Sequence, residues 1–173
     1  MKSRSLLKRN VLFSIGILLA VLIDQFVKYL VVLYVKPVSV IPVVDGILDL
    51  HYCENTGAAF SFLAGKNWFF IIATILFSIF LLFLLYTGRI RGLLAGICAM
   101  FIVAGGLGNL IDRCVWGYVV DMFELKFISF AIFNVADIFI TCGAIVFIIC
   151  YIFSKGEVIE WNSSRSKRTS EHD

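Results

Sequence analysis

Four long runs of apolar residues dominate the hydrophobic pattern of the chain. Segments rich in charged and polar residues separate these runs, which span Val11–Val35, Trp68–Thr87, Gly92–Ile111 and Phe133–Phe153. A hydrocarbon core about 30 Å thick is crossed by roughly 20 residues of helix. Each run therefore predicts one transmembrane helix. Together they predict an all-α membrane protein, with one four-helix domain over residues 1–153.

The composition agrees with this class. Hydrophobic residues make up 61% of 173 positions, only 16% are charged, and the mean hydropathy is +0.97. A soluble domain is far less apolar. The balance indicates an integral membrane protein, and no nucleic-acid partner is expected.

The first run has the basic start of a secretory signal peptide, since Lys8 and Arg9 precede its apolar residues. However, no small-residue cleavage site follows Ile23, and the apolar character resumes after Lys28 and continues to Val35. We therefore interpret this run as a retained helix.

The distribution of lysine and arginine predicts the orientation, because basic flanks remain cytoplasmic. Basic residues crowd the N-terminus, the turn at Arg89 and Arg91, and the tail after Ser154. The connections 36–67 and 112–132 each hold two basic and three acidic residues. Both termini are thus predicted to be cytoplasmic and both of these connections extracytoplasmic.

The first outer connection is too long for a simple turn. Polar and apolar residues partly alternate over Ile47–Tyr52, which predicts short strands and a small β-rich platform over the helices. Residues Gly57–Leu63 combine small and apolar side chains, as expected for an element on the membrane surface. The polar tail, residues 154–173, is expected to be disordered.

Two aspartates stand where a carboxylate is costly. Asp121 follows two valines in the second outer connection, and Asp137 opens the fourth apolar run. Ionisable groups near hydrocarbon usually pair, face a cavity or take part in function. The predicted topology brings both aspartates to the outer end of the bundle. The same end receives further polar residues, namely Asn55, Asn109, Asp112, Arg113 and Asn134.

Other polar and small residues have structural interpretations. Asp24 and Lys28 are four apart, so they can form an ion pair on one helix face. The small residues Gly105–Gly108 allow helices to approach closely and could also hold Asn109 against a site. Arg113 could bind a carboxylate or a lipid headgroup, and the adjacent Asp112 could cap or pair elsewhere.

Several other chemistries find little support. The five cysteines lack paired short spacing, which argues against zinc and a disulfide framework, although Cys53 and Cys114 could meet at the outer face. The two histidines lie in the outer loop and the tail, which excludes a histidine metal pair and a serine–histidine dyad. A serine–lysine protease would need Ser39 or Ser61 beside Lys66, which nothing in the sequence places together.

Five motifs, in this order and spacing, resemble the lipoprotein signal peptidases, the type II signal peptidases of bacteria. The resemblance covers about residues 11–153, with Met122 where the family more often has phenylalanine. The motifs are Asp24-Gln25-Phe26-Val27-Lys28, Asn55-Thr56-Gly57-Ala58-Ala59-Phe60, Gly105 to Asn109 continuing to Asp112-Arg113, Val119-Val120-Asp121, and Phe133-Asn134-Val135-Ala136-Asp137.

The resemblance implies an aspartyl endopeptidase that cuts prolipoproteins just before a cysteine carrying diacylglycerol. It implies Asp121 and Asp137 as the catalytic dyad, without metal or cofactor, in the bacterial cytoplasmic membrane. The prolipoprotein and membrane lipid would be its partners. Residues that would line or position the site are Asn55, Gly105, Asn109, Arg113, Asn134 and Ala136, and those that would support it are Asp24, Lys28 and Asp112.

Two other classes of function are alternatives. A small transporter or ion-conducting bundle could use Asp24, Lys28, Asp112 and Asp137 as a charge relay, but the cytoplasmic halves of the helices are almost uncharged. A membrane scaffold would explain the glycines but not two aspartates beside asparagines.

Overall fold

A computed structural model describes residues 2–57, 65–154 and 158–159 of the chain. Four α-helices and three β-strands alternate along it. In chain order they are α1 (Lys2–Tyr34), β1 (Val40–Val44), β2 (Leu48–Asn55), α2 (Asn67–Tyr86), α3 (Leu93–Val115), β3 (Val119–Leu125) and α4 (Val135–Phe153).

The four helices confirm the prediction from the apolar runs, since each is long and apolar enough to cross a membrane. Two predicted boundaries are wrong. Helix α1 begins at Lys2 instead of Val11, and α3 continues to Val115 instead of ending near Ile111. Backbone hydrogen bonding continues through polar residues, whereas apolar character marks only the part that matches hydrocarbon.

Helix α3 lies at the centre of the bundle and packs against the other three helices. Its glycines permit this contact. A Cβ atom at Gly105 would overlap the Ala136 carbonyl oxygen of α4, and one at Gly108 would overlap the Asp24 carboxyl group of α1. The predicted close approach at this glycine-rich stretch is confirmed.

The strands form one antiparallel sheet in the order β1-β2-β3. The sheet follows α1 and α3 in the chain, so it covers the end of the bundle where these two helices finish. Val120 and Met122 of β3 pack against Val31 of α1 and Val35 just after it, with Met122 fully buried. The predicted β-rich platform is confirmed, and β3 adds a strand that the sequence pattern did not predict.

Two predictions concern residues that are mostly outside the described ranges. Of the predicted surface element Gly57–Leu63, only Gly57 is described. Of the tail, the structure describes Ser154, Val158 and Ile159. Ile159 pairs with Ile90 in an isolated bridge, and Val158 is buried at the end of the bundle opposite the sheet.

Candidate active site

Strand β3 places Asp121 at the junction of the sheet and the helices. Side chains alternate along a strand, so Asp121 faces away from the α1 surface that Val120 and Met122 cover. It lies opposite Cys53 of β2 and is only 2% exposed. Phe123 and Phe133 exchange two backbone hydrogen bonds, of 2.8 and 3.2 Å, which fix the start of α4 beside this strand.

The start of α4 is a capping box. The Asn134 Oδ1 atom accepts a hydrogen bond from the Asp137 backbone N–H at 2.9 Å, and Asp137 Oδ2 accepts one from the Asn134 backbone N–H at 3.1 Å. Such reciprocal bonds satisfy N–H groups that a helix terminus leaves free. They also hold both side chains in a fixed orientation at the first turn, where negative charge is favoured.

Amide side chains link the two aspartates. Asn134 Nδ2 donates to Asp121 Oδ1 at 2.6 Å, and Asn55 Nδ2 donates to Asp121 Oδ2 at 2.8 Å. Asn109 Nδ2 donates to Asp137 Oδ1 at 2.8 Å. Asn109 and Asn134 are themselves bonded at 3.1 Å. The structure therefore joins Asp121 and Asp137 in one network of hydrogen bonds.

The surroundings of Asp121 favour its protonated form. Burial, and secondarily the charge of Asp137, raise the pKa of Asp121 from 3.8 to about 7. The N–H groups of Asn55 and Asn134 act in the opposite direction but are outweighed. Near neutral pH, Asp121 thus holds a proton for a substantial part of the time.

A buried ion cluster lies behind this network. The Lys28 ammonium is 2.9 Å from Asp24 Oδ2 and 2.8 Å from Asp112 Oδ2, and it donates to Asn109 Oδ1 at 2.9 Å. The predicted pair of Asp24 and Lys28 is confirmed. The sequence did not indicate which residue pairs with Asp112, and in the structure this residue is Lys28.

The two carboxyl groups of the cluster also connect elements of the fold. Asp24 Oδ1 accepts the Ala136 backbone N–H at 2.9 Å, which ties α1 to α4. Asp112 Oδ2 accepts the Val120 backbone N–H at 3.2 Å, which ties α3 to β3. Gln25, to which the sequence analysis gave no role, donates to Asp112 Oδ1 at 2.9 Å. The sequence feature that could have indicated this role is the position of Gln25, a polar residue beside Asp24 within the apolar run of α1.

Arg113 points in a different direction from α3 than Asp112 does, since adjacent helical residues do not share a face. Its Nη2 atom donates to the Gly57 carbonyl oxygen at 2.9 Å, and its guanidinium lies 5.0 Å from the centre of the Phe70 ring. Arg113 therefore links α3 to the segment just after β2 and to α2. This backbone contact differs from the carboxylate or headgroup contact that the sequence suggested.

A cavity of about 500 Å³ opens onto the two aspartates. Its polar lining is formed by Asn55, Asn109, Arg113, Asp121 and Asp137. Much of the remaining wall is apolar and comes from β3, α4 and the segment between them, including Val119, Leu125, Ile128, Phe130 and Ile138. The arrangement can hold an apolar peptide segment and a water molecule beside two carboxyl groups.

The alternative chemistries gain no support from the described residues. Within these ranges, no cluster of three or more metal-ligating residues occurs, and all five cysteines, Cys53 and Cys114 included, are free. Ser61, one of the two serines considered as a nucleophile, lies outside the described ranges.

Comparison of the sequence with known proteins identifies the family of this chain. A family model described as Signal peptidase (SPase) II matches residues 16–153. The chain belongs to the signal peptidase II family. A lipoprotein signal peptidase of Streptococcus pyogenes serotype M5 (strain Manfredo) is 40% identical over 139 residues, which cover 80% of this chain and 91% of that protein. The enzyme of serotype M18 (strain MGAS8232) is equally similar.

The similarity of the fold to two solved structures of bacterial membrane enzymes agrees with this family assignment. One bacterial membrane enzyme, obtained by the in meso method at 2.3 Å, is 31% identical with a TM-score of 0.77, covering 87% of this chain and 93% of that one. A second, at 1.9 Å, is 32% identical with a TM-score of 0.73, covering 81% and 92%. The chain is thus a multi-pass membrane peptidase, and the transporter and scaffold alternatives are wrong.

Proposed function

We propose that this peptidase is an aspartyl endopeptidase that removes the signal peptide from prolipoproteins. It cuts just before a cysteine that carries diacylglycerol, and Asp121 and Asp137 form its catalytic dyad. The names of the curated relatives support the substrate class. The observation that carries the proposal is that two carboxyl groups joined by asparagines face one largely apolar cavity.

The surroundings of the two aspartates suggest different roles. Both oxygens of Asp137 accept N–H bonds, which hold this carboxyl group toward the cavity in the position that a base requires. Asp121 has a raised pKa of about 7 and holds a proton. Two interacting carboxyl groups share one proton in this way because both cannot ionise easily.

The reaction follows from these protonation states. Asp137 takes a proton from a cavity water as the water oxygen attacks the scissile carbonyl carbon, and Asp121 gives its proton to the carbonyl oxygen. The resulting diol collapses when the carbon–nitrogen bond breaks. The proton held by Asp137 passes to the leaving nitrogen, and Asp121 regains a proton from the diol hydroxyl. Acid and base are then ready for the next cycle.

The remaining predicted residues have supporting roles in this proposal. Asn55, Asn109 and Asn134 hold the two carboxyl groups, and Arg113 holds the outer connection at Gly57. Gly105 and Ala136 allow α3 and α4 to approach closely enough for these contacts. Asp24, Lys28 and Asp112 support the network from behind.

We also propose that the enzyme lies in the bacterial cytoplasmic membrane with both termini in the cytoplasm. Arg9 and Arg89 lie at the end of the bundle opposite the sheet, as the positive-inside rule requires for a cytoplasmic end. The aspartates and the sheet then lie at the extracytoplasmic end. The cleavage point of a signal helix that crosses the bilayer would reach the cavity at this end.

Cleavage by the purified protein tests the proposal. A prolipoprotein with diacylglyceryl-cysteine and the same chain without the lipid are incubated with the enzyme, and the products are measured by mass spectrometry. The lipidated chain should yield a fragment that begins at the modified cysteine, whereas the unlipidated chain should remain largely intact. Equal cleavage of both substrates would contradict lipid recognition, and cleavage at another bond would contradict the proposed position.

A further inference from the structure

Every N–H group of the buried Lys28 ammonium has an acceptor. Lys28 is 3% exposed, and its Nζ atom contacts Asp24 Oδ2 at 2.9 Å, Asp112 Oδ2 at 2.8 Å and Asn109 Oδ1 at 2.9 Å. An ammonium has three N–H donors and no acceptor. Two of these donors contact the carboxyl groups of Asp24 and Asp112. The third reaches into the amide network of the aspartates.

That third contact restricts the orientation of the Asn109 amide. Asn109 Oδ1 faces Lys28, at 2.9 Å, and Asn134 Nδ2, at 3.1 Å, and both are donors. Rotating the amide by half a turn would place its NH2 group against an ammonium and a second NH2 group, so both of these donors would lose the acceptor that they share. The Asn109 Nδ2 atom must therefore face Asp137, whose Oδ1 atom it reaches at 2.8 Å.

The other amide of the network is fixed independently of Lys28. Asn134 Oδ1 accepts the Asp137 backbone N–H, so Asn134 Nδ2 must face Asp121 and Asn109. Asn109 has no such backbone contact among the described hydrogen bonds. Apart from Asp137 itself, the charged side chain that contacts the Asn109 amide and distinguishes its two orientations is Lys28.

We propose that Lys28 is a positioning residue of the peptidase reaction, which acts by orienting the Asn109 amide toward Asp137. This inference rests on the proposed function of the dyad. Lys28 is buried behind the network and does not line the cavity that the two aspartates face. By orienting the Asn109 amide, Lys28 keeps the Asn109 Nδ2–H group bonded to the Asp137 carboxylate. This bond holds the carboxylate in one orientation when the water loses its proton.

The test replaces Lys28 by a side chain without an N–H donor, in a variant whose cluster has the same net charge as in the wild type. Asp24, Lys28 and Asp112 together carry a net charge of −1 when all are ionised. Lys28→Met with Asp112→Asn keeps that charge, and Asp112→Asn alone, with a net charge of zero, is the control that retains the lysine. Relative to this control, the double variant should show a kcat reduced about tenfold to 100-fold, with KM changed by less than about twofold.

A second comparison separates positioning from general support. In an Asn109→Leu background, the amide that Lys28 orients is absent. There the same Lys28→Met substitution, again with Asp112→Asn as its control, should change kcat by less than about twofold, because residues that act through one another are non-additive. A full further loss of activity in this background would overturn the proposal, since Lys28 would then act without Asn109.

The remaining outcomes are also decisive. Wild-type enzyme that fails to cleave the lipidated substrate contradicts the proposed function itself, whereas active wild type with an unimpaired double variant overturns this inference alone. Lys28→Met with Asp24→Asn has the same net charge and should show the same loss of kcat. If neither charge-matched variant folds, Lys28 holds the helices together instead of the amide, and the proposal is wrong.

Discussion

The raised pKa of Asp121 predicts how the activity depends on pH. Burial and the Asp137 charge raise this pKa from 3.8 to about 7. Ionising Asp121 in the folded protein therefore costs roughly 4 kcal/mol more than in water, at about 1.4 kcal/mol per pH unit. Asp121 has to donate a proton, and its protonated fraction falls as the pH rises through about 7. The activity should decline in the same range.

The magnitude follows from simple titration. Above the pKa, the protonated fraction falls tenfold per pH unit, so kcat/KM at pH 9 should be about 100-fold below its plateau. The assay is cleavage of a lipidated prolipoprotein at subsaturating concentration, in buffers of constant ionic strength between pH 5 and pH 9.5. A profile that stays flat between pH 6 and pH 9 would refute the assignment of Asp121 as the proton donor.

Two variants sharpen this experiment. Asn55 donates to Asp121 and thereby lowers its pKa, so Asn55→Ala should move the basic limb to higher pH while reducing the rate. His51 contacts Glu124 at 2.9 Å in the sheet and does not line the cavity. His51→Gln should therefore keep the basic limb. A limb that disappears in His51→Gln would assign the titration to the sheet instead of the dyad.

Two further predictions concern packing and orientation. Gly105→Ala should destabilise the protein by roughly 1–3 kcal/mol because its Cβ would overlap the α4 backbone. Gly106→Ala is the control, because its Cβ would lie 3.4 Å from the nearest side-chain atom of α2. It should change the thermal unfolding temperature in detergent little. Equal losses of stability in the two variants would contradict this packing. A reporter inserted near Gly88 or fused after Asp173 should be cytoplasmic and one near Lys126 external, so a cytoplasmic reporter near Lys126 would overturn the proposed orientation.

The helices could be predicted from the sequence because membrane thickness sets the length of an apolar run. The ends of α2 match the prediction to within one residue, at Asn67 and Tyr86. The predicted ends are less accurate where a helix continues through polar residues, as at Lys2 in α1 and Val115 in α3. Hydrophobicity reports contact with hydrocarbon, whereas the helix itself ends where its hydrogen bonds end.

The candidate site was predictable in its members but not in its contacts. Charge distribution and chain direction alone brought Asp121 and Asp137 to one end of the bundle. The pairing of Lys28 with Asp112, and the bond from Lys28 to Asn109, join residues more than eighty positions apart. Such contacts depend on how each helix is rotated about its axis. Helices that are apolar on most sides carry little sequence signal for that rotation.

Strand β3 was missed for a related reason. Val119-Val120-Asp121 is short, and its apolar residues do not alternate strictly, because Val120 and Met122 pack on α1 while Val119 lines the cavity. Its pairing with β2 is a contact between distant segments, with Asn55 opposite Val119 and Cys53 opposite Asp121. Local pattern alone does not specify such a pairing.

Replacement of each aspartate by asparagine tests the central claim most directly. Asparagine has nearly the shape of aspartate but can neither ionise nor transfer a proton as an acid. Purified Asp121→Asn and Asp137→Asn should each remain folded, as thermal unfolding would show, and lose nearly all cleavage of the lipidated substrate. Asp49→Asn, in the sheet but outside the cavity lining, is the matched control and should stay active.

The double variant completes this measurement. Because two residues that act as a unit are strongly non-additive, Asp121→Asn with Asp137→Asn should be hardly less active than either single variant. If either single variant, prepared free of wild-type enzyme, kept a substantial fraction of the wild-type rate, the two-aspartate mechanism would be wrong for this protein.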